Sequence, residues 1–122
     1  MYDAGLLLIA GTDAPYPGVF QGESIHRELE LIVDCGLSPL QAITLATKNG
    51  SILLEEQDNW GTLGNGKIAN ILIINGRPDL NISHTRNIEQ IIFKGDVLDR
   101  DKLKIDNIKD IEYRAADKVE SD

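Results

Sequence analysis

Residues 5–10 read Gly-Leu-Leu-Leu-Ile-Ala, a short continuous apolar run that is followed by a loop rich in glycine and proline. A run of this length between turn residues predicts a strand buried on both faces, as in a parallel sheet, and Gly11 ends the run too soon to favour a buried helix. Such a strand needs hydrogen-bonding neighbours, yet the sequence contains no second run that could pair with it in parallel. We therefore expect no self-contained fold from this chain.

Helices are predicted after the loop. Apolar residues recur at helical spacing over residues 24–35, where Glu23 and Arg27 lie four positions apart and can pair on the exposed face. A second helix is predicted to begin at Pro39, because Ser38 and the residue three positions after it can form a capping box. We expect Asn49-Gly50 to end that helix, and a short third helix to run from Ser51 to about Glu56.

The second half of the sequence changes to short strands. Residues 68–74 and 88–94 are rich in isoleucine and predict strands, with a hairpin turn at 95–96 and a returning strand at 97–98. Beyond residue 99 the chain is dense in acidic and basic residues, which predicts a solvated helix or a frayed end. The order of elements places the chain in the α/β class.

Charge and cysteine content exclude several classes of function. The chain has 12 Lys and Arg against 20 Asp and Glu, a formal net charge of -8, which argues against a nucleic-acid partner or an anionic membrane surface. The single cysteine, Cys35, excludes an internal disulfide framework and a cysteine-rich zinc module. No apolar run approaches the roughly 18 residues of a membrane span, and Met1 does not open a signal peptide. We expect a cytoplasmic protein.

The Gly61–Lys67 stretch matches G-x-x-x-x-G-K, the pattern of a phosphate-binding loop. That loop requires Ser or Thr after the lysine and a helix that begins there, whereas Ile68 follows here and opens a predicted strand. The stretch is therefore predicted to be a hairpin-like turn.

Asp13 is the first candidate catalytic residue. The Gly11-Thr12-Asp13 triplet ends the predicted strand, and the carboxyl ends of parallel strands are where α/β enzymes place catalytic groups. The alternative is that Asp13 opens an Asx turn before Pro15.

Three further residues are candidate ligands or nucleophiles. His26 lies near Glu23 and Glu28, but the spacing is not that of a helical zinc motif, which favours a surface or supporting histidine. His84 is predicted to be a solvated loop residue. Cys35 is predicted to be a small core residue rather than a nucleophile.

Most of the chain, from Asp3 to about Asp99, resembles the C-terminal part of the metal-dependent amidohydrolases, specifically the imidazolonepropionase-like and prolidase-like branch. The matching stretches keep their order and spacing: 3–14 (DAGLLLIAGTDA), 25–33 (IHRELELIV), 36–43 (GLSPLQAI), 46–49 (ATKN), 61–69 (GTLGNGKIA) and 88–95 (IEQIIFKG).

The resemblance implies a C-terminal fragment of a distorted (β/α)8 TIM barrel, with the C-terminal strands of a small β-sandwich domain. Residues 1–58 would be the end of the barrel, 59–99 the sandwich strands and 100–122 a polar tail outside the match. The resemblance also implies that Asp13 ligates a divalent metal, with zinc as the expected ion, and shuttles a proton as the catalytic acid and base. His26 matches a histidine often found in this branch, and Asn70 replaces the usual aspartate at a position far from the chemistry.

The family's other metal ligands, a His-x-His pair among them, have no match here. A catalytic zinc typically needs three protein ligands, and this chain offers one, so we expect it to hold no metal and to be inactive alone. One hypothesis is a segment of a hydrolase that acts on a small-molecule amide, cyclic amide or Xaa-Pro dipeptide. The alternative is a noncatalytic module that pairs with a missing N-terminal barrel segment or self-associates, because an unpaired strand leaves backbone groups and apolar faces bare.

Overall fold

The computed structural model describes residues 4–101 of the chain, and these residues form a small α/β structure with one antiparallel sheet. Its elements, in chain order, are α1 (Ser24–Asp34), α2 (Pro39–Ala46), α3 (Lys48–Leu53), β1 (Ile71–Ile74), a 3-10 helix (Ile82–Arg86), β2 (Ile88–Phe93) and β3 (Asp96–Leu98). From residue 102 onward, the predicted polar tail lies outside the described residues.

The capping box of α2 confirms the prediction from sequence. The Ser38 hydroxyl accepts the Gln41 backbone N–H at 3.3 Å, and the Gln41 side chain accepts the Ser38 N–H at 2.7 Å. These two bonds satisfy backbone donors that a helix start otherwise leaves unpaired, and Pro39 fits the first helical position.

The third helix begins earlier than the sequence predicts. Thr47 leaves helical geometry with φ −125° and ψ −84°, and α3 starts at once at Lys48, so Asn49-Gly50 lies inside a helix rather than ending one. The helix stops at Leu53, before the predicted Glu56, and Glu55 then takes a left-handed φ of 58°.

The sheet has the order β1-β2-β3, and both strand pairs are antiparallel. The hairpin turn lies at Lys94-Gly95, where both residues have positive φ, and not at the predicted 95–96, because Asp96 already pairs with Phe93. The Asn70 side chain accepts the Lys94 N–H at 2.9 Å and so ties the turn to the residue before β1. β1 begins at Ile71 rather than at residue 68.

The hydrophobic core joins the two parts of the chain that the sequence assigns to separate domains. Leu29 from α1, Ala42 from α2 and Ile82 from the 3-10 helix form one buried cluster. Burial of these side chains supplies the main driving force that fixes α1 against the 3-10 helix. The proposed division at residues 58 and 59 stays a prediction.

Residues 6–12, which we call the anchored segment, form no β-ladder with any residue between 4 and 101. The predicted strand at 5–10 is therefore not observed as a strand, because the described part of the chain places no strand edge beside it. Its large side chains stay exposed, with 58% of Leu6, 46% of Leu7 and 43% of Ile9 accessible to solvent.

The loop after α3 packs against Ser51 of that helix at Gly61, where the structure leaves no room for a side chain. Gly61 has φ +93°, and a Cβ there would lie 2.2 Å from Ser51 Oγ, whereas the nearest atom to a Cβ at Gly64 would be 3.7 Å away. We expect Gly61→Ala to lower the free energy of unfolding by about 1–3 kcal/mol through overpacking. Gly64→Ala is the matched control and is expected to stay within about 0.5 kcal/mol of wild type in urea titrations. Equal stabilities for the two variants would contradict this packing.

Exposure of the anchored segment predicts self-association, because contiguous apolar side chains with unpaired backbone groups favour pairing between molecules. We expect light scattering to show a mass that rises with concentration, and Leu7→Lys to reduce that rise. Leu80→Lys, a change at an exposed leucine outside the segment, is the matched control. A stable monomer at high concentration would contradict the prediction.

Candidate functional site

The main chain of the anchored segment is bonded to α2 and α3. The Asn49 side chain of α3 donates from Nδ2 to the Leu8 carbonyl at 2.8 Å, and the Ala10 N–H donates to the Leu45 carbonyl at 3.3 Å. These bonds reach across roughly 35 to 41 positions of sequence, so they fix where the segment lies on α2 and α3.

The last tie before Asp13 is a bond to a carboxylate of α1. The Gly11 N–H donates to Glu28 Oε1 at 2.7 Å, in the short range typical of a charged acceptor. Asp13 follows two residues later with a left-handed φ of 54°, a conformation that aspartate tolerates better than most side chains.

The Asp13 side chain is exposed, and it makes no hydrogen bond or ion pair with any residue between 4 and 101. The alternative role, an Asx turn before Pro15, would use this carboxylate as a hydrogen-bond acceptor, and no such bond forms within residues 4–101. An unpaired carboxylate offers oxygen ligands that suit zinc or another divalent cation. The role of Asp13 as a metal ligand stays a prediction.

Asp13 cannot hold a metal ion without further ligands. Among the described residues no group of three or more His, Cys, Asp or Glu side chains lies close enough together to bind an ion. Two shallow grooves of about 400 and 340 Å³ lie elsewhere, one beside Asn75 and Glu89 and the other between α1 and Leu80. Neither groove is lined by Asp13.

His26 is buried and links α1 to the 3-10 helix. Its Nδ1 lies 3.0 Å from the Thr85 hydroxyl oxygen, and that hydroxyl donates to the Ile82 carbonyl at 2.8 Å. Because the single hydroxyl hydrogen is used there, the bond to His26 requires a proton on Nδ1. The histidine therefore supports the junction of the two helices.

The surroundings of His26 lower its pKa. Burial is the largest cause, since it disfavours the charged imidazolium, and Arg86 acts in the same direction, while Glu23 and Glu30 oppose it. We therefore infer a neutral ring near neutral pH.

Arg86 forms ion pairs with two glutamates, one of which the sequence analysis pairs with Arg27. Its guanidinium donates to Glu23 at 2.9 Å and also to Glu30, and Arg27 pairs with Glu30 at 3.3 Å. The predicted Glu23–Arg27 pair is therefore wrong, because an arginine 63 positions further along the chain reaches Glu23. The hydrogen bond from Arg86 is the main cause that holds the pKa of Glu30 below its usual value.

The remaining candidates have structural roles or none. Lys67 donates from Nζ to the Gln57 carbonyl and, at 2.6 Å, to Thr62 Oγ1, so the glycine-rich stretch is closed by its own lysine. His84 is half-buried rather than solvated, and its Nδ1 accepts the Arg77 N–H at 3.0 Å. Cys35 is exposed after the end of α1, so the prediction of a core cysteine is wrong.

No helix among residues 4–101 is both long and apolar enough to cross a bilayer.

Comparison with known proteins identifies the family. The amidohydrolase family matches residues 1–98, so the chain belongs to the amidohydrolase family. The comparison with curated proteins gives no match.

Solved structures give the same assignment. The chain is similar to a Xaa-Pro dipeptidase with bound methionine in the active site, at 30% identity and a TM-score of 0.72 over 80% of this chain and 23% of that one. It is also similar to a putative prolidase from Bifidobacterium longum, at 29% identity and a TM-score of 0.78 over 95% of this chain and 28% of that one. The likeness to molinate hydrolase, at 23% identity and a TM-score of 0.73 over 87% of this chain and 26% of that one, concerns the fold alone. The chain thus spans about a quarter of the length of these structures.

Burial of His26 predicts a pH-dependent stability. A histidine whose folded pKa lies below its unfolded value contributes stability fully above the unfolded pKa, near 6.5, and that contribution is lost as the pH falls. We expect the free energy of unfolding to fall between pH 7.5 and 5.5, and His26→Gln to flatten this slope in urea titrations.

The comparison variant is His84→Gln, which keeps His26 and so should keep the part of the slope that His26 contributes. A wild-type slope in the His26→Gln variant would contradict the assignment. Glu30 acts in a lower range, since its contribution is present above its unfolded pKa near 4.5 and is lost below it.

Proposed function

We propose that this chain supplies the last barrel strand, the last barrel helices and the C-terminal sandwich strands of a metal-dependent hydrolase that cleaves carbon–nitrogen bonds. The observation that carries the proposal is the placement of Asp13. Its unpaired carboxylate follows a segment whose main chain is bonded to the helices at residues 8, 10 and 11, and whose Leu6, Leu7 and Ile9 side chains are exposed. That arrangement suits a strand that a neighbouring barrel strand completes.

Asp13 would serve both as metal ligand and as catalytic acid and base. A bound divalent metal, zinc in the first instance, would supply Lewis acidity toward the attacking water and the substrate carbonyl. The Asp13 carboxylate would accept a proton from the attacking water and return it to the leaving nitrogen, which a carboxylate within hydrogen-bond reach can do.

The substrate class proposed is a small-molecule amide or dipeptide. Two of the similar structures are named as a Xaa-Pro dipeptidase and a putative prolidase, which supports an Xaa-Pro dipeptide as the first substrate to test. Cyclic amides and imidazolones belong to the same proposal through the imidazolonepropionase-like branch. The reaction class is hydrolysis of a carbon–nitrogen bond in each case.

Completion by further polypeptide is part of the proposal, because Asp13 belongs to no group of three or more possible metal ligands among residues 4–101. The exposed face of the anchored segment favours pairing with an N-terminal barrel segment. The same exposure favours the second candidate, a noncatalytic module that self-associates through that face. Metal binding by the completed barrel separates the two candidates. A cytoplasmic location stays a prediction.

The test is a chimera in which residues 1–98 replace the corresponding segment of a prolidase-like relative. We expect the chimera to bind zinc and to hydrolyse an Xaa-Pro dipeptide, and we expect Asp13→Asn to lower turnover by at least about 100-fold, since it removes both a ligand and the proton acceptor. Zinc content is measured by mass spectrometry, and turnover by release of proline.

Asp58→Asn, the same change at an exposed aspartate in the loop after α3, is the matched control and should leave both values unchanged. Should the chimera not fold, a smaller graft can be used, in which only residues 5–22 of this chain replace the corresponding residues of the relative. The 122-residue chain alone should bind no stoichiometric zinc, so tight zinc with turnover by that chain would refute the proposal. Wild-type zinc content and turnover in the Asp13→Asn chimera would refute it equally.

A further inference from the structure

We propose that Glu28 is a positioning residue for Asp13: its carboxylate fixes the main chain at Gly11 and thereby sets the direction from which Asp13 is presented. The metal-binding part of this inference rests on the proposed function. The bond from Glu28 to the Gly11 N–H is a property of the chain itself and can be tested without a metal.

Glu28 is placed to hold the main chain rather than to form an ion pair. It lies on α1 directly before Leu29, which is buried in the core, so the helix that carries it is fixed. Its neighbours Glu23 and Glu30 both pair with Arg86, whereas Glu28 has no ion pair with any residue in the described range. Its carboxylate is therefore available to the Gly11 N–H, which it accepts at 2.7 Å.

Glu28 provides the last fixed point before Asp13. Asn49 and Leu45 hold the chain at residues 8 and 10, and beyond Gly11 the next hydrogen bond of the described chain joins Val19 to Tyr16 within a local turn. Asp13 thus lies two residues after Gly11, which Glu28 binds, and forms no hydrogen bond itself within residues 4–101.

Loss of the Glu28 bond would leave Asp13 on a freer main chain without removing its carboxylate. Groups that orient a metal ligand typically change metal affinity 10- to 100-fold when they are lost. This expected size separates a positioning residue from a ligand, whose removal costs more.

The first experiment measures the Gly11 amide by NMR in the full 122-residue chain. We expect Glu28→Ala to raise hydrogen exchange at Gly11 about tenfold or more and to shift its amide proton upfield, because a bond to a charged acceptor is lost. Glu28→Gln keeps an acceptor oxygen and should restore part of the protection. Asp34→Ala, which removes an exposed carboxylate from the same helix but not from Gly11, is the matched control and should leave the Gly11 amide shift at the wild-type value.

A purely structural role would give a different pattern. If Glu28→Ala raised exchange equally at Gly11 and at the helical amides of α1, or left Gly11 unchanged, the inference would be overturned. Comparison of Gly11 with the α1 amides within each variant corrects for any change in global stability.

The second experiment measures zinc affinity in the chimera, or in a smaller graft that carries residues 5–34 of this chain and so includes Glu28. We expect Glu28→Ala to raise the zinc dissociation constant 10- to 100-fold and Glu28→Gln to raise it less. Affinity within twofold of wild type in Glu28→Ala would overturn the positioning role. Unchanged affinity in Asp13→Asn would instead overturn the proposed function, while the NMR experiment would still decide whether Glu28 holds Gly11.

Discussion

Backbone N–H and C=O groups require hydrogen-bonding partners, and for the anchored segment at residues 6–12 these partners come from the helices rather than from a strand of the described chain. Asn49, Leu45 and Glu28 bind its main chain from the helices. No strand pairs with it within residues 4–101, and its Leu6, Leu7 and Ile9 side chains remain exposed. The helices thus fix the main chain at residues 8, 10 and 11, although no strand of the described chain pairs with it.

The junction between α1 and the 3-10 helix gives the segment its support. Ile82 enters the core beside Leu29, His26 bonds Thr85, and Arg86 bridges Glu30 of α1 and Glu23, the residue just before α1. These contacts hold α1 in place, and α1 in turn carries the carboxylate that binds Gly11. The antiparallel sheet is connected to the proposed site through this junction, although it lies later in the chain and contributes no ligand.

Local signals in the sequence predict most of the elements, because helix caps, hairpin turns and apolar periodicity depend on neighbouring residues. The capping box at Ser38 is such a signal and is confirmed. Contacts between distant residues leave no local signal, so the Arg86 bridge and the bond from Glu28 to Gly11 could not be predicted. The strand at 5–10 is predicted from its apolar composition. A strand also requires a second strand to pair with, and the residues of one segment do not determine whether that partner exists. Asp13 was singled out from its place after that run, and its role as a ligand stays a prediction.

The central claim is that Asp13 is presented to a divalent metal by a segment that further polypeptide completes. The most direct measurement is an anomalous-scattering map at the zinc absorption edge, from crystals of the chimera grown with zinc. The account predicts a zinc peak within about 2.2 Å of an Asp13 carboxylate oxygen. A fully occupied zinc site in the completed barrel with the Asp13 side chain turned away into solvent would contradict it.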